Sequence, residues 1–189
     1  MPQAQLTENS NSCQYYDIDQ FNSTIRTINN KDISLLHMNI RSLDRHWGEF
    51  ISLLNSLDFN FDIIALTEIG TKNLKERTAF MKDYNFYYDV PLKNKFGGAG
   101  ILVKKELKVT ERRDLKICSE ADMETENVWY EITDNKNKLI VGTVYRHPGN
   151  KNNMVKFCEK LENIISVLEN NNIKCIICGD INILQNTLY

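Results

Sequence analysis

Six side chains stand where apolar runs of the sequence end: Asn39 after "ISLLHM", Glu68 after "FDIIALT", Tyr145 and Arg146 closing "KLIVGTVYR", and Asp180 and Asn182 in "CIICGDIN". Carboxylates and amides ligate hard cations through oxygen, and a carboxylate also takes up protons. Amide, phenol and guanidinium groups donate hydrogen bonds to developing negative charge. Taken singly, each residue has an ordinary explanation: Asn39 opens a turn, Glu68 caps a short helix, Asp180 forms an Asx-turn, Tyr145 is an edge aromatic. Four polar strand ends, all of types useful to phosphate or metal chemistry, point instead to a site at the ends of strands. Asp180 and Asn182 are two apart, so an extended chain turns both to one face. Tyr145 and Arg146 are adjacent and aim at one point only if their strand is already ending.

The elements that must position these groups follow from periodicity. "ISLLHMN" (33–39) reads as a strand, "DRHWGEFISLLNSL" spaces Trp47, Phe50, Ile51, Leu54 and Leu57 as a helix does, and "FDIIALTE" (61–68) reads as a second buried strand. A polar segment over 71–83 leads to "YNFYYDV", the glycine-rich "FGGAGILVKK" and "VWYEI", which read as sheet strands with turns between them. The first pattern then returns, with strand 138–146, a helix whose Met154, Phe157, Cys158, Leu161, Ile164, Ile165 and Leu168 form one stripe, and strand "IKCIICGD". Crossovers are nearly always right-handed, so the parallel strands of each β-α-β unit end at the same edge of their sheet.

Composition narrows the function classes. With 189 residues, 42% hydrophobic and 25% charged, the chain suits one globular domain with a sizeable core. Residues 1–30, rich in Gln, Asn, Ser and Thr, read as a mobile leader able to dock through Tyr15, Tyr16 and Phe21, and the compact domain as 31–189. No apolar run approaches the roughly 20 residues of a spanning helix, and the start lacks a secretory core, so the expectation is an intracellular protein, nuclear or cytoplasmic, with no membrane partner. Five cysteines without framework spacing suit reduced thiols. Cys175 and Cys178 point to opposite faces of a strand and cannot grip one ion. A net charge of −2 argues against coating nucleic acid by bulk charge. Gly97, Gly98 and Gly100 lack the following G-K-[ST] of a phosphate loop and read as a tight turn or close packing. His37 lies inside a strand, His46 at a helix start and His147 in a "RHPG" turn.

The set "HMNIRSL", "ALTEI", "VYRHPG" and "GDIN", in this order, resembles the endonuclease/exonuclease/phosphatase superfamily. It is most similar to the endonuclease domains that precede reverse transcriptases in non-LTR retrotransposons. The resemblance implies an α/β fold, a four-layer sandwich of the deoxyribonuclease I-like type with two β-α-β units around packed mixed sheets. It also implies hydrolysis of DNA phosphodiesters with Mg²⁺, or Mn²⁺ in its place, and a reverse transcriptase as partner within a polyprotein. In such a site Glu68 is the natural metal ligand, with Asn39 orienting it or joining it on the ion. Asp180 orients or deprotonates the attacking water, and Asn182 holds a phosphate oxygen. Tyr145 and Arg146 stabilise the pentavalent transition state. Arg41, Lys93 and Lys95 are expected to meet DNA phosphates.

One departure tempers these expectations. Members of the superfamily carry a second aspartate and a closing Ser-Asp-His, whereas this chain ends in "ILQNTLY". The expectation is therefore an incomplete domain, from a truncated frame or a longer polyprotein, with weak or no DNA cleavage alone and with apolar surface left open. The alternatives are a non-catalytic module that binds nucleic acid or protein, and an enzyme of the same fold acting on lipid or inositol phosphates.

Overall fold

The computed structural model describes residues 14–27, 33–79, 81–91, 97–117, 125–134, 138–148 and 151–182. In chain order its elements are α1 (Ile18–Ile25), β1 (Leu35–Asn39), α2 (Trp47–Ser56), β2 (Ile63–Thr67), α3 (Leu74–Thr78), β3 (Tyr84–Asp89), β4 (Ala99–Lys104) and β5 (Lys108–Glu111). There follow a 3-10 turn at Arg113–Leu115, then β6 (Thr125–Thr133), β7 (Lys138–Arg146), α4 (Lys151–Asn170) and β8 (Cys175–Asp180). They form two mixed four-stranded sheets, ordered β1-β2-β4-β3 and β5-β6-β7-β8. Both β-α-β units are present: β1 and β2 run parallel with Asn39 beside Thr67, and β7 and β8 run parallel with Tyr145 beside Asp180.

Three apolar layers hold four structural layers together. Ile64, Leu66 and Leu102 pack with Phe50 of α2; Ile63, Ile101, Val128 and Val141 fill the space between the sheets; Trp129, Ile140 and Val144 pack with Phe157 and Leu168 of α4. β2 is buried at every position because it is covered on both faces, which is why its sequence is continuously apolar rather than alternating. Cys175 joins the α4 layer, while the Cys178 thiol lies 3.9 Å from the Thr143 hydroxyl, so the two cysteines do face apart. Burial pushes the Cys175 thiol up to about 11, which leaves it inert as a nucleophile. No helix among the described residues is long and apolar enough to cross a membrane.

Two elements differ from the periodic reading. Part of the span expected as a leader is helical: α1 begins with a capping box between Asp17 and Gln20 and rests Phe21 on Phe61 with ring centroids 6.1 Å apart. Asn22 reinforces this by donating to the Ser56 carbonyl at 2.9 Å and accepting the Asp58 N–H at 2.8 Å, whereas Tyr15 stays exposed. β5, "KVTE", carries no apolar alternation because it is an edge strand, where charged side chains keep a sheet from pairing further.

Asp62 ties the end of the sandwich remote from the candidate site. Its carboxylate accepts the Ser34 N–H at 2.9 Å, the Ser34 hydroxyl at 2.7 Å and the Lys104 ammonium at 2.9 Å, joining β1, β2 and β4. Burial raises this carboxyl, but the hydrogen bonds from Lys104 and Ser34 outweigh it and hold it below the ordinary carboxylate value. Asp62→Asn is expected to cost about 1.5–3 kcal/mol at neutral pH, the range for hydrogen bonds to a charged group. A depressed folded-state value means that this stability is complete above the unfolded value of about 3.9 and is lost as pH falls through the folded one. Urea midpoints should therefore differ most at pH 7, and the gap should narrow as the pH drops below about 4.

Candidate functional site

At the C-terminal ends of β1, β2, β7 and β8 an amide joins two carboxylates. The Asn39 Nδ2 donates to Glu68 Oε1 at 2.8 Å and to Asp180 Oδ2 at 3.2 Å, linking one sheet to the other across 141 residues of chain. The other oxygen of Asp180 accepts the Asn182 N–H at 3.3 Å, so the Asx-turn reading of Asp180 holds alongside its role in the cluster.

The loops carrying these groups are stiff. Beyond the strands, the N–H groups of Ile40, Ser42 and Leu43 continue the β1–β2 pairing onto the carbonyls of Thr67, Glu68 and Ile69 at 3.0, 2.6 and 3.0 Å. Leu43 and Ile69 are buried beneath that zipper. Four residues of the site's loops, Arg41, Ser42, Glu68 and Asn182, hold left-handed backbone, with φ of 49, 90, 54 and 47°. Asparagine tolerates that region, but a glutamate there costs about 1–2 kcal/mol and persists only where its surroundings over-determine it. The strain thus sits on the residue placed best to ligate a cation.

Tyr145 is buried beside Asp180 in the register of β7 and β8. Burial, then the negative charges of Glu68, Asp180 and Glu126, push its phenol up to about 12, so at neutral pH it is a hydrogen-bond donor and not a phenolate. Arg146, expected at the phosphate, points the other way. Its Nη1 donates to the carbonyls of Ile181 and Asn182 at 3.3 and 3.0 Å, and it is 3% exposed, because neighbouring residues on a strand face opposite sides and β7 has not yet ended. It pins the "GDIN" turn instead. Asn182 completes that pin by donating from Nδ2 to the Arg146 carbonyl at 2.7 Å, which leaves one amide hydrogen for a ligand. Arg41 is exposed, with its N–H 3.3 Å from Asn39 Oδ1, while Lys93 and Lys95 lie outside the described residues.

No protein-family model matches the chain, and no curated protein matches its sequence. Solved structures match its backbone. TDP2 from D. rerio, complexed with a single-strand DNA product, superposes with a TM-score of 0.58 at 16% identity over 82% of this chain and 63% of its own. An endonuclease/exonuclease/phosphatase family protein from Bacteroides thetaiotaomicron gives 0.57 at 14% identity, covering 82% and 65%. ANGEL2, a 2′,3′-cyclic phosphatase, gives 0.56 at 16% identity, covering 81% and 53%. The chain has the endonuclease/exonuclease/phosphatase fold. At these identities the likeness is one of fold, and the chain spans between about half and two-thirds of the length of these proteins.

Within this fold, Glu126 escaped the sequence reading, and its partner differs from the turn residue expected. His147 belongs to no open turn: it is buried, with Nε2 3.0 and 3.1 Å from the two oxygens of Glu126, which is buried as well. The one available signal is the antiparallel pairing of β6 and β7, which sets Glu126 opposite Tyr145. Beneath the cluster, His37 Nε2 and Thr67 Oγ1 are buried without a hydrogen-bond partner. His37 stands on the same face of β1 as Asn39, and burial lowers its pKa, keeping the imidazole neutral against the opposing pull of Asp180.

A hard divalent ion fits this donor set. Mg²⁺ takes one or two carboxylates and keeps its other positions for water and phosphate oxygens. Glu68 and Asp180 converge on a single amide, the arrangement expected of two acids that share a positive partner when one is present. Among the described residues no group of three His, Cys, Asp or Glu side chains is gathered closely enough to hold an ion.

Proposed function

We propose that this chain is part of a Mg²⁺-dependent endonuclease that hydrolyses DNA phosphodiesters, of the kind that nicks target DNA for a reverse transcriptase carried on the same polyprotein, acting in the nucleus or cytoplasm. The observation that carries the reading is the Asn39 amide held between the Glu68 and Asp180 carboxylates at the edge where both β-α-β units end. Glu68, with Asn39, would hold Mg²⁺, or Mn²⁺ in its place, and the bound ion would neutralise charge on the scissile phosphate. Asp180 would orient the attacking water and accept its proton. Tyr145, kept protonated by burial, donates its hydroxyl hydrogen to a non-bridging oxygen, and Asn182 offers its remaining amide hydrogen to the same charge. Arg146 holds the turn that presents Asp180 and Asn182. DNA as substrate draws support from the four motifs quoted above and from the single-strand DNA product in the TDP2 relative.

The test pairs ion binding with cleavage. Electron paramagnetic resonance should detect one Mn²⁺ per chain, displaced by Mg²⁺. Supercoiled plasmid at enzyme excess should be nicked slowly in Mg²⁺ and not at all in EDTA. Absence of both binding and nicking would overturn the reading, as would release of phosphate from inositol phosphates in preference to nicking of DNA.

A further inference from the structure

Behind Tyr145 lies a buried acid–base pair that the cluster of Asn39, Glu68 and Asp180 does not include. Glu126 and His147 come from β6 and from the residue just past β7, each less than a tenth exposed at the side chain. Glu126 also accepts the Gly98 N–H at 3.2 Å. The turn that supplies this N–H is built around the pair: Gly97 and Gly98 have φ of 109 and 88°, and a Cβ on Gly97 would sit 2.7 Å from His147 Nε2. Only glycine reaches such φ without strain, and only glycine leaves the imidazole its space. From there the connection continues, since the Gly97 carbonyl accepts the Gly70 N–H at 2.9 Å and Gly70 closes the loop that holds Glu68 in left-handed backbone. On its other side the His147 ring meets Tyr145 edge-on, with centroids 4.8 Å apart and an interplanar angle of 82°.

We infer that Glu126 and His147 are positioning residues for this site: by clamping the Gly97–Gly98 turn they fix both the Glu68 loop and the orientation of the Tyr145 ring. The pair touches neither the proposed ion nor the phosphate. It acts through backbone on one side and ring packing on the other, and so couples the two sheets at the height of the chemistry. Burial raises the Glu126 carboxyl while the neighbouring imidazole and the Gly98 N–H oppose that, so the acid depends on both partners. A buried pair of this kind is weak evidence of a stabilising role, because apolar residues of similar volume often replace one without loss of stability. Its hydrogen bonds, in contrast, have no apolar substitute.

That contrast supplies the experiment, which rests on the proposed function only for its ion-binding arm. Glu126→Gln keeps an acceptor oxygen for the Gly98 N–H and a polar amide beside His147 Nε2, whereas Glu126→Met with His147→Phe keeps only volume. The readouts are the melting temperature, the ¹⁹F spectrum of 3-fluorotyrosine placed at position 145 without metal, and the Mn²⁺ dissociation constant. The glutamine variant should match the parent in all three. The apolar pair should melt near the parent, yet show a shifted or doubled ¹⁹F line and weaker Mn²⁺ binding by about 10-fold or more, the range for losing a partner that orients a ligand. An unchanged ¹⁹F line and unchanged affinity in the folded apolar pair would overturn the inference. Should that pair fail to fold, Gly97→Ala repeats the test by pushing a Cβ into His147, and the same two changes are required of it. If even the parent binds no Mn²⁺, the metal reading fails while the ¹⁹F arm still decides the positioning role.

Discussion

Glu68→Gln should weaken Mn²⁺ binding by at least about 100-fold, beyond the range for removing an orienting partner, and bring plasmid nicking below detection. Glutamine preserves shape and the left-handed backbone is anchored by the Ser42 N–H on the Glu68 carbonyl, so the protein should fold and melt as before. What changes is charge. Two carboxylates converge on the Asn39 amide, and removing one halves the negative charge that faces a divalent ion with a reluctantly lost hydration shell. Asn39→Ala should lie between, at about a 10-fold loss, because both acids survive but no longer share an orienting donor. Asn39→Asp provides the opposite sign: a third carboxylate beside the other two should lower metal-free stability through like-charge repulsion and tighten the ion. If titration showed Glu68→Gln binding Mn²⁺ like the parent, the ion would have to sit elsewhere and the role given to this cluster would be lost.

Much of this was legible because burial writes itself into sequence with a fixed period. β2 is a buried apolar run closed by Glu68; β8, closed by Asp180, is as apolar but lies at a sheet edge, half-buried with Ile176 exposed; α4 carries its stripe toward Trp129 and Val144 except for Ile165, which is exposed; and the two parallel pairs follow from crossover handedness. What stayed illegible depends on partners far away in sequence. Glu126 looks like an ordinary polar start to a strand, and only the register opposite Tyr145 reveals that it is enclosed with His147. The type of Arg146 suggests a phosphate contact, but its guanidinium donates to the carbonyls of Ile181 and Asn182, partners far away in sequence. Phe21, an aromatic in a segment of polar composition, was legible as a docking residue, but its partner Phe61 is a tertiary contact that no local pattern announces.

Gly179→Ala should be strongly destabilising. Gly179 lies opposite Val144 in the β7–β8 pairing, one residue before Asp180, with φ of 148°. A Cβ there would overlap the Val144 carbonyl oxygen and stand 2.7 Å from its carbon and 3.0 Å from the Val144 nitrogen. These are backbone atoms of a buried strand, so no side-chain rotation relieves the overlap. β8 must either separate from β7 or carry Asp180 away from Asn39. The expected cost exceeds about 4 kcal/mol, in the tail reserved for core overpacking and backbone strain, which corresponds to roughly 10 °C or more in melting temperature for a chain of this size. Gly48→Ala is the matched control. Gly48 lies in α2 with nothing within 4 Å of the position that a Cβ would take, so the same change there should stabilise by about 0.5–1 kcal/mol through helix propensity. Urea and thermal melts followed by circular dichroism compare the two directly. A Gly179→Ala protein that melted within a degree or two of the parent and still bound Mn²⁺ would mean that β8 does not press on β7 at this point, and the placement of Asp180 beside Asn39, which depends on that contact, would have to be redrawn.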